Sequence, residues 1–402
     1  MKDVAASRIN PAVSALSLPP IPAVKAWAQA YDGALGPLID LSQAVPGYPP
    51  HDEMLRLSGE AASSKAFANY GPIEGLPALR ETYAAHVSQL YKAKLGAAQV
   101  QITAGCNQAF IAAVMALAGA GDTVMLSNPL YFNHETSLAM LGIKLELMPC
   151  RAQNGFVPDP QELKQVLHAG IKVLALVTPN NPTGAVYSPE VLKQIYEICR
   201  ANGTWLILDE TYRDFLEDAD AVPHHLFDEA DWNDYLIQLY SFSKSFCIPG
   251  HRLGAIIAAE AVISEIAKIM DNLQICAPLP PQAAIAQAIE PLTEWRNENR
   301  REIAHRAQAL RSAIAQMEGW EAISVGAYFA FVRHPFTASS GGMGQGVESA
   351  AVSEKLAKTC GIITIPGAYF GEGQQDFLRF AFANVDAETI TMLPERVAAL
   401  RF

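Results

Sequence analysis

TWLILDETY (204–212) is a short apolar run that ends in two adjacent acids, and the fold can be read outward from it. Asp209 closes the run, so its carboxylate is expected at the carboxyl edge of a strand, where open α/β sheets bind ligands. Glu210 is expected to face the other way if the strand continues. Upstream, residues 189–201 carry Val191, Leu192, Ile195 and Ile198 at helical spacing, and Gly203 ends the pattern. The same alternation of short β-branched runs and helical patterns extends in both directions. Strands are expected at 100–103, 123–127, 144–148, 172–178, 204–209, 235–241 and 253–258. This is the pattern of an α/β protein whose large unit has a mostly parallel sheet sandwiched by helices. After APLPP, near Ala277, a long helical stretch is expected to reach about Met317. YFAFVR from Tyr328 and FLRFAF from Phe377 then alternate in a way that suits a sheet with one open face. A smaller α+β unit is therefore expected from the two ends of the chain. The boundaries are 1–45 for an N-terminal arm and part of the small unit, 46–285 for the large unit, and 286–402 for the C-terminal part. PFTASSGGMGQG, from Pro335, reads as a flexible loop.

With 402 residues, half of them hydrophobic, the chain can bury a large core and is long enough for two or three domains. Its net charge of −12 argues against nucleic acid or an anionic membrane as a partner. Cys106, Cys150, Cys199, Cys247, Cys276 and Cys360 form no CxxC pair, and no His cluster stands at metal-ligand spacing. They read as reduced thiols in a cytoplasmic protein without a metal. Lys2 and Arg8 are followed by no apolar core of signal-peptide length before Pro19, Pro20 and Pro22, so secretion is not expected. The longest apolar stretch, 109–120, falls short of the roughly 20 residues that cross a bilayer.

The chemistry concentrates in SFSKSFCIPGHRLG (241–254), which gathers Ser241, Ser243, Lys244 and Arg252 around a turn suited to an anion. Lys244 is the candidate nucleophile. A second anion-binding element is TAGCNQAF, where a strand ends at Thr103 and a helix is expected to begin near Asn107. The backbone donors of Gly105, Cys106 and Asn107 would then point at an anion, with Gly105 permitting close approach; an ordinary strand-to-helix turn fits the same string. Arg252 offers a planar fork suited to phosphate oxygens. An amine tethered among such groups is what a protein needs to hold pyridoxal phosphate as an imine. That cofactor withdraws electrons only if its ring nitrogen stays protonated beside a carboxylate, for which Asp209 is the candidate; a helix-capping aspartate is the other local reading.

Further motifs occur in order along the chain: YGPIEGLPALR with Tyr70, Gly75, Leu79 and Arg80, NPLY ending at Tyr131, NNPTG from Asn180, DETY from Asp209 to Tyr212, and FLRFAFA with Arg379. Together with the two anion-binding strings, they resemble the fold type I, class I/II aminotransferases that use pyridoxal phosphate, over about 47–383. The resemblance implies that Tyr131 stacks on the cofactor ring and that Tyr212 and Asn181 hydrogen-bond its hydroxyl. It also implies that Tyr70 reaches the phosphate of a neighbouring subunit, so that the active sites belong to a homodimer. Arg379, with Asn181 and the backbone at Gly47, would take the substrate α-carboxylate, and the Pro182 peptide would be cis. Taken singly, these residues also suit core tyrosines, a turn, and a surface or interface ion pair for Arg379.

The implied reaction moves an amino group between an L-amino acid and a 2-oxo acid by a ping-pong route, with Lys244 carrying the substrate α-proton. In aspartate-type members a further arginine from the other subunit grips the side-chain carboxylate. The corresponding segment here, DNLQICAPLPP from Asp271, holds no arginine or lysine, which points to a neutral, aromatic or sulfur-containing donor. Arg333 or His334 is the alternative grip for a dicarboxylate. The alternative activity on the same fold is carbon–sulfur β-elimination. A sugar aminotransferase is a further alternative, and a ligand-sensing regulator lacks support because 1–45 show neither a helix-turn-helix nor a basic cluster.

Overall fold

The computed structural model describes residues 9–337 and 346–402. Much of the flexible loop expected from Pro335 lies outside the described residues. Seven strands form the large sheet: β1 (Val100–Thr103), β2 (Thr123–Asn128), β3 (Lys144–Pro149), β4 (Ile171–Val177), β5 (Trp205–Asp209), β6 (Leu236–Ser241) and β7 (Gly254–Ile257). Their order across the sheet is β1-β7-β6-β5-β4-β2-β3. Residues 204–209 behave as read, because Trp205–Leu208 pair in parallel with β4 on one side and β5 pairs with β6 on the other, which leaves Asp209 at the carboxyl end. The helix Pro189–Asn202 precedes β5, with Ser188 capping its start and Gly203 closing it in a left-handed conformation.

One strand runs against the rest. β7 is antiparallel to both β1 and β6. A parallel return from β6 would need a crossover, usually a helix over one face of the sheet, whereas Phe242–Leu253 holds only the four-residue helix Phe242–Ser245 and the short turn Pro249–His251. That stretch carries Lys244 and Arg252, so the antiparallel step places both at the edge where β5 delivers Asp209.

A second sheet contains β8 (Glu321–Gly326), β9 (Phe329–Arg333), β10 (Ile365–Pro366) and β11 (Phe377–Ala381), in the order β10-β11-β9-β8. The expected open face is absent. Phe329 to Val332 and Leu378 to Ala381 are all buried. Ala330, Val332, Leu378 and Phe380 pack in one core with Ile303, Ala307 and Leu310, and Phe331 and Phe377 face the core that holds Phe156 and Phe370. Alternation was a poor guide because both faces meet protein. The expected long helix is two helices, Leu279–Ala288 and Thr293–Ile314, separated around Pro291, which has no amide hydrogen to continue the ladder. The chain's ends meet where Ile39–Asp40 pair in parallel with Ile362–Ile363. Among the described residues, no helix is long and apolar enough to cross a membrane, and all six cysteines are unpaired.

Candidate active site

At the carboxyl edge of β4, β5 and β6 a cavity of about 190 Å³ is lined by Cys106, Asn107, Tyr131, Asn181, Asp209, Tyr212, Ser241, Ser243, Lys244 and Arg252, with Val177, Thr211 and Pro249. Ten of the residues singled out from sequence therefore share one space. They arrive on several strand ends and turns, which is the usual origin of ligand sites in open α/β sheets.

One end of the cavity is an anion cradle. The helix Cys106–Leu117 starts here, and the amide hydrogens of its first turn have no preceding carbonyl to bond. Gly105 caps it at φ 88° and lies against Arg252: a Cβ at this position would sit 2.3 Å from Arg252 Nη2. Arg252 itself has φ 53° and donates from Nη1 to the Pro249 carbonyl at 2.8 Å, which fixes the guanidinium beside the buried hydroxyls of Ser241 and Ser243. Ser241 Oγ accepts from the Ser243 amide at 3.3 Å and so orders the turn.

At the other end lies Asp209, 4 % exposed. Burial pushes its carboxyl upward, but His134 and the two donors of Thr211 outweigh that and hold it below the usual carboxylate range. The Thr211 amide and hydroxyl donate to Oδ1 at 3.0 and 2.7 Å, and His134 Nε2 stands 3.4 Å from Oδ2. The imidazole stacks on Phe110 with ring centroids 3.7 Å apart, so its orientation is fixed by packing. Sequence reading missed His134. Its only signal was its position three residues after Tyr131, which says nothing without the contact to β5.

Lys244 lies between these ends. Its Nζ donates to the Ala44 carbonyl at 2.6 Å and sits 5.9 Å from the centre of the Tyr212 ring. Burial first, then the positive charges of Arg252 and Arg379, lower its pKa to about 8. In the cofactor-free protein, Lys244 is therefore expected to react with an amine-acylating reagent with a midpoint near pH 8, and a midpoint shared with the surface lysines would contradict this setting. The folded pKa lies below the unfolded one, so the folded chain binds fewer protons between about pH 8 and the ordinary lysine value of about 10.5, and stability from this group rises with pH across that window.

Arg379, 2 % exposed, donates from Nη1 to Asn181 Oδ1 at 2.9 Å and from Nη2 to the Ser42 carbonyl. Its guanidinium lies 5.0 and 5.1 Å from the ring centres of Phe329 and Phe370, and its Nε has no hydrogen-bond partner among the described residues. Burial lowers its pKa to about 10, a sign of a cation with no neighbouring carboxylate. The Asn181–Pro182 peptide is cis. Tyr131 accepts from Asn133 Nδ2 at 2.7 Å, and burial followed by the Asp209 charge raises its pKa to about 12. Tyr212 packs against Tyr328 and Phe329.

Two expected residues stand apart. Tyr70 is 79 % exposed and does not line the cavity. Gly47 does not line it either: its amide donates to the Ala383 carbonyl at 2.9 Å, so this backbone donor is taken. The carbonyls that segment brings in are those of Ser42 and Ala44, which no side-chain pattern could reveal. Glu210 does face away from Asp209, buried against Tyr91, Gln238 and His224. Arg333 pairs with Glu321 at 2.5 Å and His334 meets the Gln375 carbonyl at 3.2 Å, so both are engaged outside the cavity.

The family model described as aminotransferase class I and II matches residues 36–397. An aromatic aminotransferase of Arabidopsis thaliana is 30% identical over 355 residues, covering 86% of this chain and 85% of the relative. An aspartate aminotransferase of Pyrococcus horikoshii is 28% identical, with 82% of each chain covered. Among solved structures, a double mutant of the aspartate aminotransferase of Thermus thermophilus superposes with a TM-score of 0.87 at 22% identity, covering 97% of this chain and 98% of the other.

Proposed function

The chain belongs to the class I and II aminotransferases, enzymes that move amino groups with pyridoxal phosphate, and on that premise we propose that its amino donor is a neutral or aromatic L-amino acid. The residues fit the cofactor. The cradle between Gly105, Arg252, Ser241 and Ser243 suits a phosphate, and an ionised, buried Asp209 suits a protonated pyridine nitrogen. When bound, the cofactor supplies an electron-withdrawing ring that stabilises charge developing at the substrate α-carbon.

The protein's own groups take the other tasks. Lys244 would anchor the cofactor covalently and, once displaced by the substrate amine, take the α-proton; burial first, then Arg252 and Arg379, favour its neutral, basic form. His134 and Thr211 keep Asp209 charged and oriented. Tyr131 would stack on the ring, and Tyr212 with Asn181 would orient its hydroxyl; all three line the cavity. Arg379 is the seat for the α-carboxylate, supported by its bond to Asn181 in the cavity wall, its apolar surroundings and the lack of a neighbouring acid. Tyr70, exposed on the single chain, would reach the phosphate of a neighbouring copy in a homodimer. A cytoplasmic protein built of a large unit, 46–285, and a small unit from 1–45 and 286–402 completes the proposal.

The observation that carries the donor class is that, among the described residues, the cavity lining offers no cation beyond Lys244 and Arg252. Residues 271–281 contain no arginine or lysine. Arg333 and His334 are engaged outside the cavity. A side-chain carboxylate would thus be buried without a partner, which costs several kcal/mol. A stopped-flow screen of the common amino acids against the bound cofactor's spectrum tests this: kcat/KM for neutral and aromatic donors is expected to exceed that for aspartate at least about tenfold, about 1.4 kcal/mol. Aspartate as the fastest donor would overturn the assignment. Release of ammonia and pyruvate from cystathionine without an oxo-acid acceptor would point instead to β-elimination.

A further inference from the structure

Outside the cavity, Ser245, Tyr240 and Asp214 form a hydrogen-bonded chain between the two segments that carry its working groups. Tyr240 precedes the cavity-lining Ser241 on β6, so its side chain leaves the other face of the sheet, where it is 1 % exposed. Its hydroxyl donates to Asp214 Oδ2 at 2.6 Å and lies 2.7 Å from Ser245 Oγ. A phenol has a single hydrogen, and Asp214 takes it, so the Ser245 hydroxyl must donate to the Tyr240 oxygen. Both bonds therefore run one way, from Ser245 to Asp214.

The chain ends on an anchored charge. Burial pushes the Asp214 carboxyl upward, but the charges of Arg213 and Arg296 and the Tyr240 hydroxyl hold it below the usual carboxylate range. Arg296 Nη1 lies 3.8 Å from Asp214 Oδ1. The Tyr240 ring is fixed as well: the Arg213 guanidinium lies 4.1 Å from its centre, and Tyr83 stacks on it with centroids 5.6 Å apart.

Ser245 directly follows Lys244 in the helix Phe242–Ser245. Asp214 lies in the turn Arg213–Phe215, directly after Tyr212 on the segment that continues from Asp209. The ladder between β5 and β6 ends at Asp209 and Leu239, with the Glu210 amide donating to the Leu239 carbonyl, and beyond it the chain continues the tie between the two segments. The cofactor must fit between these segments, with Lys244 at its aldehyde end and Asp209 at its ring nitrogen. A displacement of about 1 Å between such groups can cost about 100-fold in rate.

We propose that Tyr240 and Asp214 are positioning residues for the aminotransferase reaction: with Ser245 they set, from outside the cavity, the distance between Lys244 and the Asp209–Tyr212 segment. The inference rests on the reading of Lys244 and Asp209 given above. Neither Tyr240 nor Asp214 lines the cavity, so each acts through the segment it holds.

Tyr240→Phe keeps the ring beside Arg213 and Tyr83 and removes only the hydroxyl, whereas Ser245→Ala opens the same chain at its other end. In each variant the single-turnover rate per borohydride-fixed cofactor, with the best donor found in the screen, is expected to fall at least about tenfold while the half-saturating donor concentration stays within about twofold. The isotope effect with the α-deuterated donor should rise. Cofactor-free variants should form the visible band with saturating pyridoxal phosphate at least about tenfold more slowly than the parent, because the amine meets the aldehyde out of line. The double variant should lose no more than the worse single variant. Parental rates and isotope effect in both single variants, with only a lower unfolding temperature, overturn the proposal, as do additive losses in the double variant. Fixation of the parent's cofactor to a peptide without residue 244 would remove the underlying reading and this inference with it; fixation at 244 with unaltered variants removes the inference alone.

Discussion

Lys244→Ala is expected to yield a folded protein that retains pyridoxal phosphate only through noncovalent contacts and loses transamination by roughly 10,000-fold or more, since proton transfer by a positioned side chain alone contributes about 100- to 10,000-fold. The fold should tolerate the change. The amine donates a hydrogen bond to the Ala44 carbonyl, and its lowered pKa means that the buried site disfavours a charge there. The cradle at Gly105, Ser241, Ser243 and Arg252 is untouched, so the phosphate keeps its partners. Borohydride treatment followed by peptide mass spectrometry checks the assignment. In the parent the cofactor should be fixed to the peptide containing residue 244, and in the variant to none. A labelled peptide that persists in Lys244→Ala would mean that another lysine is the anchor.

Asp209→Asn should leave the covalent anchor able to form and slow loss of the substrate α-proton by about 100- to 1,000-fold, the usual cost of removing one preorganised charge partner in a dry site. The amide can still accept from Thr211 at Oδ1 but no longer offers a full negative charge. Glu210→Gln is the matched control one residue along. Glu210 points to the other side of β5, into a buried cluster with Tyr91, Gln238 and His224, so its substitution should cost about 1–3 kcal/mol of stability. Turnover per folded molecule should stay within about twofold, because the group faces away from the cavity. Single-turnover rates and unfolding curves on both variants separate the roles. Equal loss of rate in the two would mean that the 209 position contributes only as part of the buried framework.

The large sheet was legible because its strands are locally distinct. Residues 100–103 match β1, and the other expected strands agree with β2 to β7 to within two residues at each end. The site was legible where function depends on residue type at a strand end or turn: Asp209 closing an apolar run, Lys244 between serines, Gly105 before a helix. Errors arose where the decisive partner is distant in sequence. The alternation in β9 and β11 suggested one solvent face, yet Phe331 and Phe377 are covered by Phe156, about 175 and 220 residues upstream. The helical pattern after Ala277 gave no weight to Pro291, whose missing donor divides it.

Order and spacing along the chain were enough to determine the fold class, the strand ends and the main chemical inventory, since these follow from hydrophobic period and from side-chain type. Tertiary structure alone decided how that inventory is tuned. Burial, then the charges of Arg252 and Arg379, lower the pKa of Lys244 to about 8, and Arg379 comes from β11, on a separate sheet. Asp209 stays ionised because His134, on the helix Phe132–Met140, meets the end of β5. Gly47 is drawn out of the site because Ala383 takes its amide. Electrostatic tuning depends on distance and burial between segments that folding brings together, and neither quantity is written in the local sequence.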